Sequence, residues 1–124
     1  MSAKTKDIRM YHVVMYNLSG IQKGIQAGHA ALEYADLHAG TEMYREFIKD
    51  HKTWIILDGG GSKEMEEYLR IIKSLGVPHA FFREPDLNDA ISAITFLYDA
   101  KSKDAANQAG IFLKFTNLKL ASSG

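Results

Sequence analysis

With 124 residues, 46% of them apolar, and no cysteine, the chain has the material for one domain around a single core. The composition excludes disulfides, thiolate metal sites and cysteine nucleophiles. Fifteen basic residues balance fifteen acidic ones, and no run approaches the ~20 apolar residues of a membrane span, so the expectation is one domain over 1–124 in a cytoplasmic protein with no membrane partner.

The first apolar segment, Arg9 to Tyr16, reads as a strand that ends in the turn-like Asn17-Leu18-Ser19-Gly20. A helix follows, with Ser19 as N-cap. Ile21, Ile25, Gly28, Leu32 and Ala35 recur at helical spacing and are expected to form its buried stripe, with Gly28 allowing close packing. Beside them Gln22, Gln26, His29, Glu33 and Asp36 make a polar stripe. A second, shorter helix is expected from Thr41 to His51, on the spacing of Met43, Tyr44, Phe47 and Ile48.

Thr53 to Leu57 is short and nearly all apolar, as for a central strand covered on both faces. A helix then carries Met65, Leu69 and Ile72 on one side and is stopped by Gly76 and Pro78. His79 to Arg83 is a third strand, and the turn Glu84 to Asp89 leads into a fourth, Ile91 to Tyr98. Residues 102–109 are a weak helix candidate, and Ile111 to Phe115 reads as a strand or a docked tail.

The order β-α-α-β-α-β-β-(α) predicts an α/β fold in three layers, a mixed four-stranded sheet flanked by helices. Strands one to three are mainly parallel and strand four is antiparallel. The core spans about residues 9–100, with 101–124 as a C-terminal extension. Charge is distributed unevenly: Lys4, Lys6 and Arg9 against Asp7 leave residues 1–9 at +2. Lys101, Lys103, Lys114 and Lys119 against Asp104 leave residues 101–124 at +3, and residues 10–100 carry −5. A nucleic-acid partner would have to be met by the basic ends rather than by average charge.

Gly59-Gly60-Gly61-Ser62-Lys63, between a strand and a helix, lies where backbone N–H groups bind phosphate, but it lacks the Walker spacing. Its plainer reading is a turn with Ser62 capping the helix. Five histidines show no metal-ligand spacing, so no metal is expected. The polar stripe of the first helix is either a solvated face or the wall of the crevice that forms at the carboxyl ends of strands in open α/β sheets. Free helix N–H groups there favour a developing oxyanion.

Gln26-Ala27-Gly28-His29-Ala30-Ala31-Leu32, on a first helix after an apolar strand and a Leu-Ser-Gly turn, resembles the signature of the archaeal and eukaryotic type of peptidyl-tRNA hydrolase. The similarity runs on through Trp54 to Leu57, the helix ending Leu75-Gly76-Val77-Pro78, and Glu84-Pro85-Asp86 to Thr95. The Glu-Pro-Asp turn is most similar to the divergent peptidyl-tRNA hydrolase domain-containing branch. The resemblance implies cofactor-free hydrolysis of the ester between a peptide and the terminal ribose of tRNA, with tRNA as partner and a homodimer as the assembly.

It also implies a site. Gln26 and His29 match the motif, Thr95 matches a strand position, and Glu84 falls where the family has aspartate, with Asp86 close by. The family's lysine position holds Gln22, and Lys23 is one residue along, about 100° around the helix. The roles implied are catalytic for Lys23, His29, Asp86 and Glu84, and substrate-binding for Gln22, Gln26 and Thr95. Lys23 would stabilise negative charge, His29 would position substrate or transfer a proton, and Asp86 or Glu84 would orient the water or the base. The alternatives are a catalytically inactive relative that binds RNA or protein, and a small hydrolase of another ester or amide.

Overall fold

The computed structural model describes residues 6–99, 101 and 118–121. Along them run β1 (Ile8–Val14), α1 (Gly20–His38), α2 (Glu42–Glu46) continuing into a π-helical turn (Phe47–His51), β2 (Thr53–Asp58), α3 (Ser62–Leu75), β3 (His79–Glu84), a 3-10 turn (Pro85–Leu87) and β4 (Ala90–Asp99). The helix and strand expected within 102–109 and 111–115 lie outside the described residues.

The four strands form one mixed sheet in the order β2-β1-β4-β3. β1 pairs parallel with β2, and β4 runs antiparallel to both of its neighbours, β1 and β3. The fold is therefore the expected α/β arrangement. Alternation along β1 separates two cores: Val13 packs with Met65, Leu69 and Ile72 under α3, whereas Ile8, Met10 and Val14 pack with Ala27, Ala30 and Tyr34 of α1. No helix among the described residues is long and apolar enough to cross a membrane.

Two expectations about burial are corrected. The inward face of α1 is Lys23, Gln26, Ala27, Ala30 and Tyr34, while Ile21 and Leu32 are 79% and 72% exposed and Ile25 is also exposed. The helix is thus turned by nearly half a revolution from the expected stripe. Ala27 and Ala30 lie against Val14 and Ala93, a contact between small side chains that lets the helix approach the sheet closely. Gly28 faces open space instead of a packed neighbour. The second correction concerns Thr53–Asp58, which is at one end of the four-strand order rather than in the middle, with Trp54 exposed at the edge. An apolar run this short does not distinguish a covered edge from a centre.

Local chemistry sets the boundaries. Ser19 caps α1 by accepting from the Gln22 N–H, and Thr41 caps α2 through the Tyr44 N–H. The N-cap of α3 is Gly61 rather than Ser62, and its N–H is taken by the Glu64 carboxylate at 2.9 Å. The Gly61 N–H is thereby satisfied within the chain. Gly76 ends α3 with φ +71°, the left-handed conformation that glycine adopts without strain.

Gly59 is fixed by contact. Its N–H donates to Val14 O at 2.6 Å, and a Cβ there would stand 2.5 Å from Val13 Cγ1 and 2.6 Å from Met65 Sδ. Gly59→Ala should therefore lower the urea midpoint by the equivalent of about 1–3 kcal/mol, the cost of overpacking a core. Gly24→Ala, which meets nothing within 4 Å, serves as the control. It should stabilise the helix slightly, so equal midpoints for the two variants would contradict the packing described.

Candidate functional site

At the carboxyl ends of β1 and β2 the strands diverge into the turns that begin α1 and α3, and β3 ends at the same level, because Val14 is in register with Asp58 and Ala93, and Ala93 with Phe82. β4 starts there too, with Glu84 opposite Ala90. The N-terminal half of α1 returns over this end of the sheet. The chain thus gathers three strand ends, one strand start and two helix starts, the usual position of a crevice in an open α/β sheet.

Lys23 points into this end. Its side chain is only 3% exposed, and its ammonium lies 2.9 Å from Asp58 Oδ1. One turn further along α1, Gln26 is buried and its Oε1 accepts from the Ser92 hydroxyl. Ser92 reaches it because of a bulge: Phe82 pairs with Ala93 and Arg83 with Ile91, so Ser92 is the extra residue of β4. The irregularity breaks the alternation and brings the hydroxyl to the α1 side, while the Ser92 carbonyl accepts from Met15 N at 3.1 Å.

Deeper on the same side of the sheet sits His12, fully buried. Its Nδ1 shares a hydrogen bond of 2.7 Å with the Thr95 hydroxyl, and its ring tilts against Trp54 at 4.3 Å. Nε2 is buried without a hydrogen-bond partner among the described residues. Burial of the imidazole, which disfavours the charged form, brings its pKa down to about 3. His12 is therefore a neutral residue of the core at ordinary pH.

The residues implied by the resemblance fall in different places. Lys23 and Gln26 stand together on the inward face of α1. Gln22 is exposed on the outside of the same helix, its backbone N–H bonded to Ser19. His29 is exposed and stacks on Phe82, with centroids 4.4 Å apart and planes within 15°. Thr95 is fully buried beside His12 rather than at the crevice mouth. Glu84 ends β3 and Asp86 is exposed in the 3-10 turn after it. Both are at the same end of the molecule as Lys23, but β3 and β2 are separated by two other strands, a span of about 14 Å at the usual strand spacing. The carboxylate that meets Lys23 is Asp58.

Sequence reasoning passed over Asp58, Ser92 and His12. Asp58 carried a usable signal, since it closes an apolar strand immediately before a glycine-rich turn, where α/β sheets place their chemistry. His12 is the one histidine within the apolar run Met10 to Met15. Ser92 depends on the bulge, and nothing in a strand-like segment announces one.

The arrangement offers an ammonium, a carboxylate and an amide at the carboxyl end of the sheet, beside the opening turns of α1. A carboxylate can take a proton from water, and a fixed ammonium can stabilise an oxyanion. Among the described residues no group of three His, Asp or Glu is placed to hold a metal ion. A scan against models of known protein families finds none that matches the chain, and no curated protein matches it significantly.

Proposed function

We propose that the chain hydrolyses the ester bond of peptidyl-tRNA, releasing peptide and tRNA. The single observation that supports this reading is the buried Lys23–Asp58 pair beside Gln26 at the carboxyl end of the sheet. It brings a cation, a base and an amide to the helix turn that carries the Gln26–Leu32 motif. Water attacks the ester carbonyl as Asp58 takes its proton, and the Lys23 ammonium stabilises the tetrahedral oxyanion. Collapse breaks the bond to the ribose oxygen, and the proton passes to that oxygen.

Gln26, held through Oε1 by Ser92, orients its amide nitrogen for the substrate. His29 on Phe82 supplies a flat surface for the acceptor end, and Glu84 and Asp86 bound the crevice beyond β4. With tRNA as substrate, the place of action is the cytoplasm.

The test is deacylation of two substrates by the purified chain: N-blocked aminoacyl-tRNA and the unblocked form. Cleavage of the blocked form alone is expected. Tight binding without cleavage would replace the enzyme with an RNA-binding module, and indifference to both would remove tRNA altogether.

A further inference from the structure

The end of the chain comes back to this site. Residues 118–121 lie antiparallel along the outer edge of β2: Asp58 N donates to Lys119 O at 2.9 Å, Ala121 N donates to Ile56 O at 2.8 Å, and Leu57 stands opposite Leu120. This register sets Lys119 across from Asp58. Residues directly opposed in an antiparallel pair project to the same face, with Cβ atoms about 5 Å apart. Asp58 meets Lys23 on the α1 face, so Lys119 projects to that face too, while Leu57 and Leu120 take the other.

The two lysines differ in what they can offer. Lys23 is buried and paired with Asp58, so the two together add no net charge to the site. Lys119 is exposed. In sequence it belongs to the stretch 101–124, which carries +3, whereas residues 10–100 carry −5. Residues 10–100 therefore offer a polyanion no net attraction.

We propose that Lys119 is a phosphate-binding residue of the candidate site, delivered by the C-terminal segment as a fifth strand on β2. This rests on the hydrolase reading, in which the ester lies next to a phosphodiester of the acceptor strand. The backbone pairing holds the segment in place, and the Lys119 ammonium contacts the phosphate while Lys23 and Asp58 face the ester.

The test uses full-length protein titrated with inorganic pyrophosphate by calorimetry, at several salt concentrations. Lys119→Met should weaken binding about five-fold, as for one solvent-exposed charge-assisted contact, and flatten the salt dependence. Lys119→Arg should keep both. Ala121→Pro deletes the donor to Ile56 O and should reproduce the loss with the lysine still present. An unchanged melting temperature in Lys119→Met separates ligand contact from a structural role.

Wild-type affinity in Lys119→Met, or no pyrophosphate binding by the wild type, overturns the assignment, and wild-type affinity in Ala121→Pro overturns delivery by the fifth strand. Ester cleavage reads the other question: Lys119→Met should raise KM and leave kcat unchanged. A wild type that binds pyrophosphate through Lys119 but cleaves no blocked aminoacyl-tRNA would sink the hydrolase reading and leave this one standing.

Discussion

Lys23→Met is expected to reduce cleavage of N-blocked aminoacyl-tRNA by about 100-fold or more, the usual effect of deleting a fixed group that stabilises an oxyanion. It should also destabilise the fold, because Asp58 keeps its charge in a site only a quarter exposed. Stranding one partner of a buried pair costs about 3–5 kcal/mol, less here because water reaches the carboxylate. Lost activity in the single variant therefore mixes chemistry with folding, and a second variant separates the two. Lys23→Met combined with Asp58→Leu removes both charges, and well-packed apolar replacements of buried pairs are often neutral. The double variant should recover its melting temperature without recovering activity. If the single variant cleaves at the wild-type rate, Lys23 has no part in the chemistry.

The second large effect is acid sensitivity from His12. The imidazole titrates near its ordinary value of 6.5 when the chain is unfolded and at about 3 in the fold, where burial keeps it neutral. Above pH 6.5 neither state takes up the proton and the full stability is present. Between pH 6.5 and about 3 the unfolded chain binds a proton that the folded one refuses, so stability falls as pH drops, at up to about 1.4 kcal/mol per pH unit. By pH 4 the loss from this one group is about 3 kcal/mol, a large share of the roughly 5–15 kcal/mol typical of a domain. Carboxylates titrate in the same range, so the measurement is a difference. His12→Asn keeps a polar atom near the Nδ1 position for Thr95 but does not titrate. Urea unfolding from pH 7 to pH 4 should show a shallower decline in the variant, and parallel curves would mean that His12 is not held neutral by its surroundings.

Much of the architecture was legible because it depends on features the sequence displays directly. Helix stops such as Gly76-Val77-Pro78, apolar runs of strand length and the spacing between them predict the element order, and the direction of β4 agrees with the short turn before it. The rotation of α1 was not legible. Hydrophobicity points to Ile21, Ile25 and Leu32, but the sheet takes the face with Ala27 and Ala30, where small side chains permit close approach and long polar ones at the helix start find partners. The same rotation carries Lys23 inward. Counting around the helix from Gln22 puts Lys23 on another side, and the side it reaches is the crevice. Glu84 and Asp86 lie across the sheet from Lys23, and separation across strands cannot be read from a linear pattern when the strand order is β2-β1-β4-β3.

The long reach of the contacts around the candidate site and in the core beneath it bears on how the molecule comes into being. The Gln26–Ser92 bond closes a separation of 66 residues and the His12–Thr95 bond one of 83, and the partner of the Asp58 amide is Lys119. Such pairings form late, after local helices and turns. A chain still emerging from the ribosome, lacking β4 and the C-terminal segment, would hold the first helix and the glycine turn with nothing to orient them. The order of these groups thus depends on β4 and on residues 118–121, which are synthesised after the helix and the turn they hold.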